Sequence, residues 1–277
     1  MKKMVWYWLI AVVITLVAAY YQKVTGPTYP AKIDYRLGGS QYHAKLDRSH
    51  PGTTDCPVTI AMPDTAVAGE LFYRHYPSGE NYIQVPMIHK GKELTAMLPN
   101  QPPAGKLQYY IKLQKGDEQV ELGTQKPVII RYRGDVPALI IIPHALLMFI
   151  AMLLANLAGA LAIGNMPSFR KYTLYTLICL LFGGLILGPI VQKYAFGAFW
   201  TGVPYGFDLT DNKTLIGFIF VLLAVLGNLK KERRHLTILA AIVILVVYSI
   251  PHSMFGSELN YETGKVIQGF INLHWMF

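Results

Sequence analysis

Acidic residues and cysteines are both scarce in this chain, and each shortage narrows what it can be. Sixteen Asp and Glu stand among 277 residues, and charged residues of either sign make up 15%, against ~25% in ordinary soluble domains. Hydrophobic residues make up 53%. So little charge is short of what covers a soluble surface, and it places the chain among membrane proteins. The two cysteines, Cys56 and Cys179, fall on different segments, so no disulfide is expected to hold the fold. Cys56 opens a strand and reads as a small buried core residue. Motifs are missing too. There is no Gly-x-x-x-x-Gly-Lys-Ser/Thr loop, no Gly-x-Ser-x-Gly elbow and no His-Glu-x-x-His helix, which leaves P-loop nucleotide hydrolysis, serine esterase chemistry and zinc proteolysis without their parts. Paired repeats with broken helices, expected of a secondary transporter, are also lacking.

The charge that is present is placed asymmetrically. The net charge is +9, and eight basic residues at the ends of apolar runs supply most of it: Lys2, Lys3, Arg170, Lys171, Lys230, Lys231, Arg233 and Arg234. Glu232 alone opposes them, which leaves 17 of the 25 basic residues against 15 of the 16 acidic ones elsewhere. Short Lys/Arg-rich loops stay on the cytoplasmic side of a membrane. The excess is therefore a topology signal rather than a phosphate-tracking patch, and nucleic acid is not an expected partner. The lipid bilayer is.

Five apolar runs cover residues 5–20, 137–164, 172–191, 215–229 and 236–250. A spanning helix needs ~20 residues, so the last two runs are marginal and read as a tight hairpin around the basic turn. The first run follows two lysines like a signal peptide, but Val17-Ala18-Ala19-Tyr20 is a poor cleavage pattern. With Trp6, Tyr7, Trp8, Tyr20 and Tyr21 at its edges it reads as an uncleaved signal-anchor. The expected architecture is an N-terminal transmembrane anchor (1–21), an extracytoplasmic antiparallel β-sandwich (22–135) and a four-helix transmembrane domain (136–277). That last domain carries an outer loop at 192–214 and an outer tail at 251–277. The N-terminus and the turns at 165–171 and 230–235 face the cytoplasm. A bacterial inner membrane is the compartment this arrangement fits. Ionisable residues are nearly absent from the runs, which argues against a proton relay.

The aqueous segment reads as strands at 58–61, 71–76, 82–87, 94–98, 107–113, 119–122 and 128–132, with turn residues at short intervals between them. Residues 94–114 include Leu94-Thr-Ala-Met-Leu-Pro-Asn-Gln-Pro-Pro-Ala-Gly-Lys-Leu-Gln-Tyr-Tyr-Ile111. This stretch resembles a strand pair of immunoglobulin-like and fibronectin-type extracellular modules: a strand ending at Leu-Pro, a proline loop, then a Tyr-Tyr strand. The resemblance implies an Ig-like fold that binds another protein or a glycan.

Two places could carry chemistry. Pro143-His144 opens the second apolar run and Pro251-His252 ends the fifth, which puts both histidines at about the same depth. Met148, Ala151, Ala155 and Gly159 follow His144 within an arc of about 80° on a helix. This small-residue stripe turns His144 inward, with Gly184-x-x-x-Gly188 as its counterpart. His144 and His252 are thus candidate ligands of haem b or of a metal ion. The commoner reading is two interfacial histidines bonded to a loop or to water.

The outer loop is the second place. Phe196, Phe199, Trp200, Tyr205, Phe207, Asp208, Asp211 and Lys213 lie among glycines 197, 202 and 206, a composition that suits a quinone, lipid or cation site. It suits equally an interfacial belt in which Thr210 or Asp211 caps the fourth helix. The tail at 266–277 is apolar but too short to span, and is expected to lie on the outer surface. Two functions remain. One is a non-enzymatic anchoring or assembly protein whose sandwich binds a membrane or envelope partner. The other is a membrane redox subunit with a His144–His252 cofactor near a quinol site.

Overall fold

The computed structural model describes residues 2–251, 258–264 and 266–267, and the chain divides into two compact units. The helical unit takes the two ends of the sequence around a β unit formed by residues 28–135 and a returning C-terminal segment.

In the helical unit, α1 (Lys2–Thr25) buries Ala11, Thr15 and Ala18, one stripe at helical spacing. α2 (Ala138–Ile163) packs beside it, and the Asn156 amide donates to Thr15 Oγ1 at 2.9 Å. α3 (Phe169–Cys179), a π-helical segment (Leu180–Leu187) and α4 (Gly188–Phe196) run on as one rod of 28 residues. α5 (Leu209–Gly227) and α6 (Arg234–Ser249) form the hairpin. Four helices among the described residues are long and apolar enough to cross a membrane: α1, α2, the rod and α5. The expectation of four such helices after the sandwich is corrected, because α6 has 16 residues. α5, in contrast, starts at Leu209, well before the apolar run, because its polar first turn is helical and packed.

The unit's two ends differ. At one, a Cβ on Gly164 would collide with the Tyr7 ring, and Asn165 accepts a hydrogen bond from Arg234. At the other, Gln22 Nε2 and Lys213 Nζ both donate to the Ile250 carbonyl, at 3.3 and 2.7 Å. The basic turns therefore share one end, and the aromatic loop sits at the opposite one.

The β unit opens with a hairpin, β1 (Ala31–Leu37) and β2 (Ser40–Leu46). Then come β3 (Ser49–Pro51), β4 (Cys56–Ala61), β5 (Ala68–His75), β6 (Ile83–Pro86) and β7 (Ile88–Lys90). β8 (Glu93–Leu98), β9 (Lys106–Lys115), β10 (Glu118–Leu122) and β11 (Val128–Arg133) follow. One sheet has the order β3-β11-β9-β5-β6, with β10 also on β9; a second has β4-β8-β7. Only β3 and β11 pair in parallel among these strands. Leu107, Tyr109, Ile111 and Leu113 of β9 share one core with Val58 and Ile60 of β4 and Leu94, Ala96 and Leu98 of β8. At Gly69 a Cβ would lie 3.1 Å from the Leu113 side chain and 3.2 Å from that of Leu94, so a larger residue there would press those side chains aside. All seven expected strands are present; β1, β2, β3 and β7 were not foreseen. β8 ends before Pro99 and β9 carries Tyr109-Tyr110, but the two lie in different sheets rather than paired.

Of the tail expected on the outer surface at 266–277, only Val266–Ile267 (β13) falls within the described residues, and it pairs with Glu258–Leu259 (β12). The Leu259 amide donates to the Ala104 carbonyl at 3.1 Å. The Tyr261 hydroxyl accepts from the Lys106 amide at 2.9 Å and donates to its carbonyl at 3.0 Å. This segment belongs to the β unit.

Candidate functional site

His144 lies near the start of α2, directly after Pro143, and its Nδ1–H donates to the Gly183 carbonyl at 2.8 Å. Gly183 is in the π segment, where the same carbonyl also receives the Gly188 amide, a five-residue span instead of four. Close packing from two sides fits the widened turn. A Cβ on Gly183 would sit 2.7 Å from Leu147 Cβ, and one on Gly184 would sit 2.8 Å from Thr214 Cγ2. A carbonyl only accepts, so His144 carries its proton on Nδ1, leaving Nε2 as the nitrogen with a lone pair. The expected partner, His252, lies outside the described residues. The stripe that follows His144 divides its contacts: Met148 meets the glycines of the π segment, whereas Gly159 lets α6 approach at Ala241.

The aromatic loop is built from its ends inward. Gly197 closes α4 at φ +86°, a conformation glycine adopts without steric cost, and its amide donates to the Lys193 carbonyl at 2.9 Å. Asp208 is the N-cap of α5, accepting the Thr210 amide at 2.8 Å; the capping role expected of Thr210 or Asp211 is corrected. Asp211 turns back instead. Its Oδ2 accepts the amides of Thr201 at 2.6 Å and Gly202 at 3.1 Å, and the Thr201 hydroxyl at 3.2 Å. Asn212 Oδ1 takes the Val203 amide at 2.8 Å, and Gln192 donates to Thr201 Oγ1 at 2.6 Å. Gly202 is where these contacts press closest, since a Cβ there would lie 2.7 Å from Asp211 Cβ. The carboxylate of Asp211 thus fastens the loop. Above this framework Phe199, Tyr205 and Phe207 are exposed, at 57, 84 and 80%, while Phe196 and Trp200 are half-buried. Among the described residues no group of three or more His, Cys, Asp or Glu side chains could hold a metal ion.

Lys213, named above with the outer loop, is 1% exposed. It projects from the first turns of α5 and donates to Ile250 at the end of α6, the carbonyl that Gln22 of α1 also reaches. A cation suits the negative end of a helix dipole, so the lysine ties three helices at one carbonyl. The polar run Asp-Leu-Thr-Asp-Asn-Lys-Thr hid it: only its helical phase, with Asp211, Lys213 and Thr214 buried, marks it as an interior residue.

The β unit carries a feature that the strand pattern did not single out. On the sheet face turned away from the core, Phe72 of β5 stacks on Tyr110 of β9 with centroids 4.8 Å apart and planes within 3°. Tyr82 meets Tyr110 edge-on at 5.0 Å, and the Arg74 guanidinium lies 4.5 Å above the Tyr82 ring. Gln108 Nε2 donates to the Tyr82 hydroxyl at 2.6 Å. Elsewhere in the unit, burial pushes the Cys56 thiol up to about 11 and the Tyr261 phenol up to about 12. Burial also lowers the Lys106 ammonium, against the opposing pull of Glu258, its ion-pair partner. No protein-family model matches this chain, and no curated relative aligns with it.

Proposed function

We propose that this chain is an integral membrane protein, anchoring or assembling a partner in the cell envelope through an Ig-like β module held outside the membrane. The aromatic–arginine cluster carries this reading. Aromatic residues and Arg are enriched at protein interfaces, and Phe72, Arg74, Tyr82 and Tyr110, each half-buried, form such a group on the sheet face opposite the core. Support for the Ig-like module is the division into β4-β8-β7 and β11-β9-β5-β6, with a short parallel strand added at β3. Support for the topology is the gathering of Asn165, Arg234 and Tyr7 at one end of the helical unit, which agrees with the placement of basic loops in the cytoplasm. Retention of α1 is favoured by its buried stripe and by the Thr15–Asn156 bond. A photo-crosslinking residue at Tyr82 should yield one discrete adduct in native membranes, lost in Arg74→Glu. The same probe at exposed Thr124 should yield none. Equal adducts at both positions would reject the reading.

A second reading is favoured by one bond. A ligating histidine commonly donates its other ring nitrogen to a backbone carbonyl, and His144 does so to Gly183. On this reading His144 Nε2 would hold a haem b together with His252, which lies outside the described residues. The detergent-extracted protein would then show a Soret band that His144→Ala abolishes. A colourless protein that folds normally would exclude it.

A further inference from the structure

We infer that residues 197–208 form a rigid wedge seated in the headgroup zone of a lipid bilayer, where α4 and α5 end. This rests on the reading of the helical unit as membrane-spanning. Exposed large aromatics on a loop call for a partner, and Phe199, Tyr205 and Phe207 all stand exposed. Much of the backbone beneath them is paired internally. The amides of Thr201, Gly202 and Val203 go to Asp211 and Asn212. Those of Tyr205 and Gly206 both go to the Gly202 carbonyl at 2.9 Å, and that of Asp208 to the Thr201 carbonyl at 3.1 Å. These six amides find partners within the loop and the first turn of α5, which lowers the cost of carrying them out of water. Lipid is favoured over a protein partner by what adjoins the loop. Tyr194 and Ile216, on the flanking turns of α4 and α5, are exposed as well, so the apolar surface continues along both helices. Lys193 holds its ammonium 5.5 Å from the Phe199 ring centroid and donates to the Gly197 carbonyl at 2.7 Å. Aromatic rings with a lysine at helix ends are the composition of a membrane interface. The carboxylate of Asp211 is already engaged by the loop's own donors, which leaves the aromatic rim as the contact surface.

The experiment uses full-length protein in phosphatidylcholine vesicles, with Cys56 and Cys179 replaced by serine and a single environment-sensitive fluorophore at Phe207→Cys. Ile219→Cys on the exposed face of α5 and Thr124→Cys on the β unit are the references. The label at 207 should be quenched several-fold more by a shallow lipid-borne nitroxide than by aqueous iodide. The label at 219 should respond to a deep nitroxide, and that at 124 only to iodide. Asp211→Asn should make the label at 207 more accessible to iodide and leave 219 unchanged, because the fastening is local. Iodide quenching at 207 like that at 124, with 219 still in lipid, would overturn the wedge and leave the membrane reading standing. Protection of 207 from both quenchers would mean a protein covers it, and would also overturn the wedge. Iodide quenching at 219 would overturn the membrane reading itself.

Discussion

In the β unit, alternate residues of β9 send Leu107, Tyr109, Ile111 and Leu113 into a common core, whereas the helical unit buries Thr15, Asn156, Thr173, Asp211 and Lys213 among its helices. The contrast fits the media proposed for the two units. A sandwich in water gains by removing apolar surface from solvent, roughly 25 cal/mol per Å². Helices in lipid gain nothing of that kind from touching one another, so their contacts rest on small residues and hydrogen bonds. The helical unit meets that description. Gly159 admits Ala241, Gly183 admits Leu147, and Asn156 reaches Thr15. Its large apolar residues, such as Leu139, Leu223 and Ile242, face outward.

The comparison breaks most sharply on paired truncations. Leu107→Ala, in the sandwich core, should destabilise the β unit by about 2–5 kcal/mol through lost burial and a residual cavity. Leu223→Ala, on the exposed face of α5, should change the stability of the helical unit in lipid by less than about 1 kcal/mol, since the leucine touches lipid in the folded and the dissociated states alike. Denaturant titrations in bicelles, followed by probes in each unit, give both values. Equal costs would mean that Leu223 is buried against protein, and the outward face of α5 would need reassignment.

Close approach should be the next most sensitive point. Gly183→Val places new atoms against Leu147, where even a Cβ would stand at 2.7 Å, and should cost about 1–3 kcal/mol by overpacking. It should also lengthen or break the His144–Gly183 bond, visible as a changed histidine ring signal in a labelled sample. Gly91→Ala, at a β turn with open space and φ +64°, should cost less, about 1 kcal/mol, from backbone strain alone.

The third difference concerns alkali. Cys56 has its thiol raised from 9.0 to about 11, and Tyr35 and Tyr261 have their phenols raised from 10.0 to about 12, in each case first by burial. A group whose folded pKa is raised holds its proton in the native state after the unfolded chain has lost it. The stabilisation is therefore complete below pH 9 and declines as pH climbs through 11 and 12. After allowance for the solvent each group still meets, the effect is on the order of 1 kcal/mol per group. The urea midpoint of the β unit should be flat from pH 7 to 9 and fall above it, and Cys56→Ser should delay the onset of that fall. A midpoint that rises with pH would contradict the burial of all three.

How much of this was legible in the residues depends on the same contrast. Strands with β-branched and aromatic runs, such as β4 and β9, announce themselves, and so do apolar helices. The β1–β2 hairpin was missed because its outward positions carry Lys32, Asp34 and Arg36, which dilute any run, although the alternation and the Gly38-Gly39 turn were there to be used. β3 and β7 have three residues each and exist only through their neighbours. In the aromatic loop, sequence identified the right aspartates but not their roles. Capping was assigned by proximity, whereas Asp208 has the non-helical backbone that a cap requires and Asp211 is already helical, in the first turn. Sequence names Lys213 with the loop but not as an interior residue, because a charged residue near the end of an apolar run reads as a boundary. Its partner, the Ile250 carbonyl, stands 37 residues along the chain, beyond the reach of any local pattern.

The smallest expected effect tests whether polar contacts matter inside the helical unit at all. Asn156→Ala removes the donor to Thr15 that joins α2 to α1. An interhelical hydrogen bond of this kind contributes about 0.6 kcal/mol in measured membrane bundles, because side chains find other partners when the helices separate. The deletion also leaves Thr15 able to bond within its own helix, which softens the loss further. Asn156→Leu should cost more than Asn156→Ala, since the contact is fully buried and a branched side chain would push α1 away. Forced unfolding from vesicles, with α1 labelled near Tyr21, would read the α1–α2 step directly. A cost above about 2 kcal/mol for the alanine change would show that Asn156 is held in a tighter network than one bond. That outcome would also narrow the difference between the two units, because buried polar contacts would then rival the sandwich core in strength.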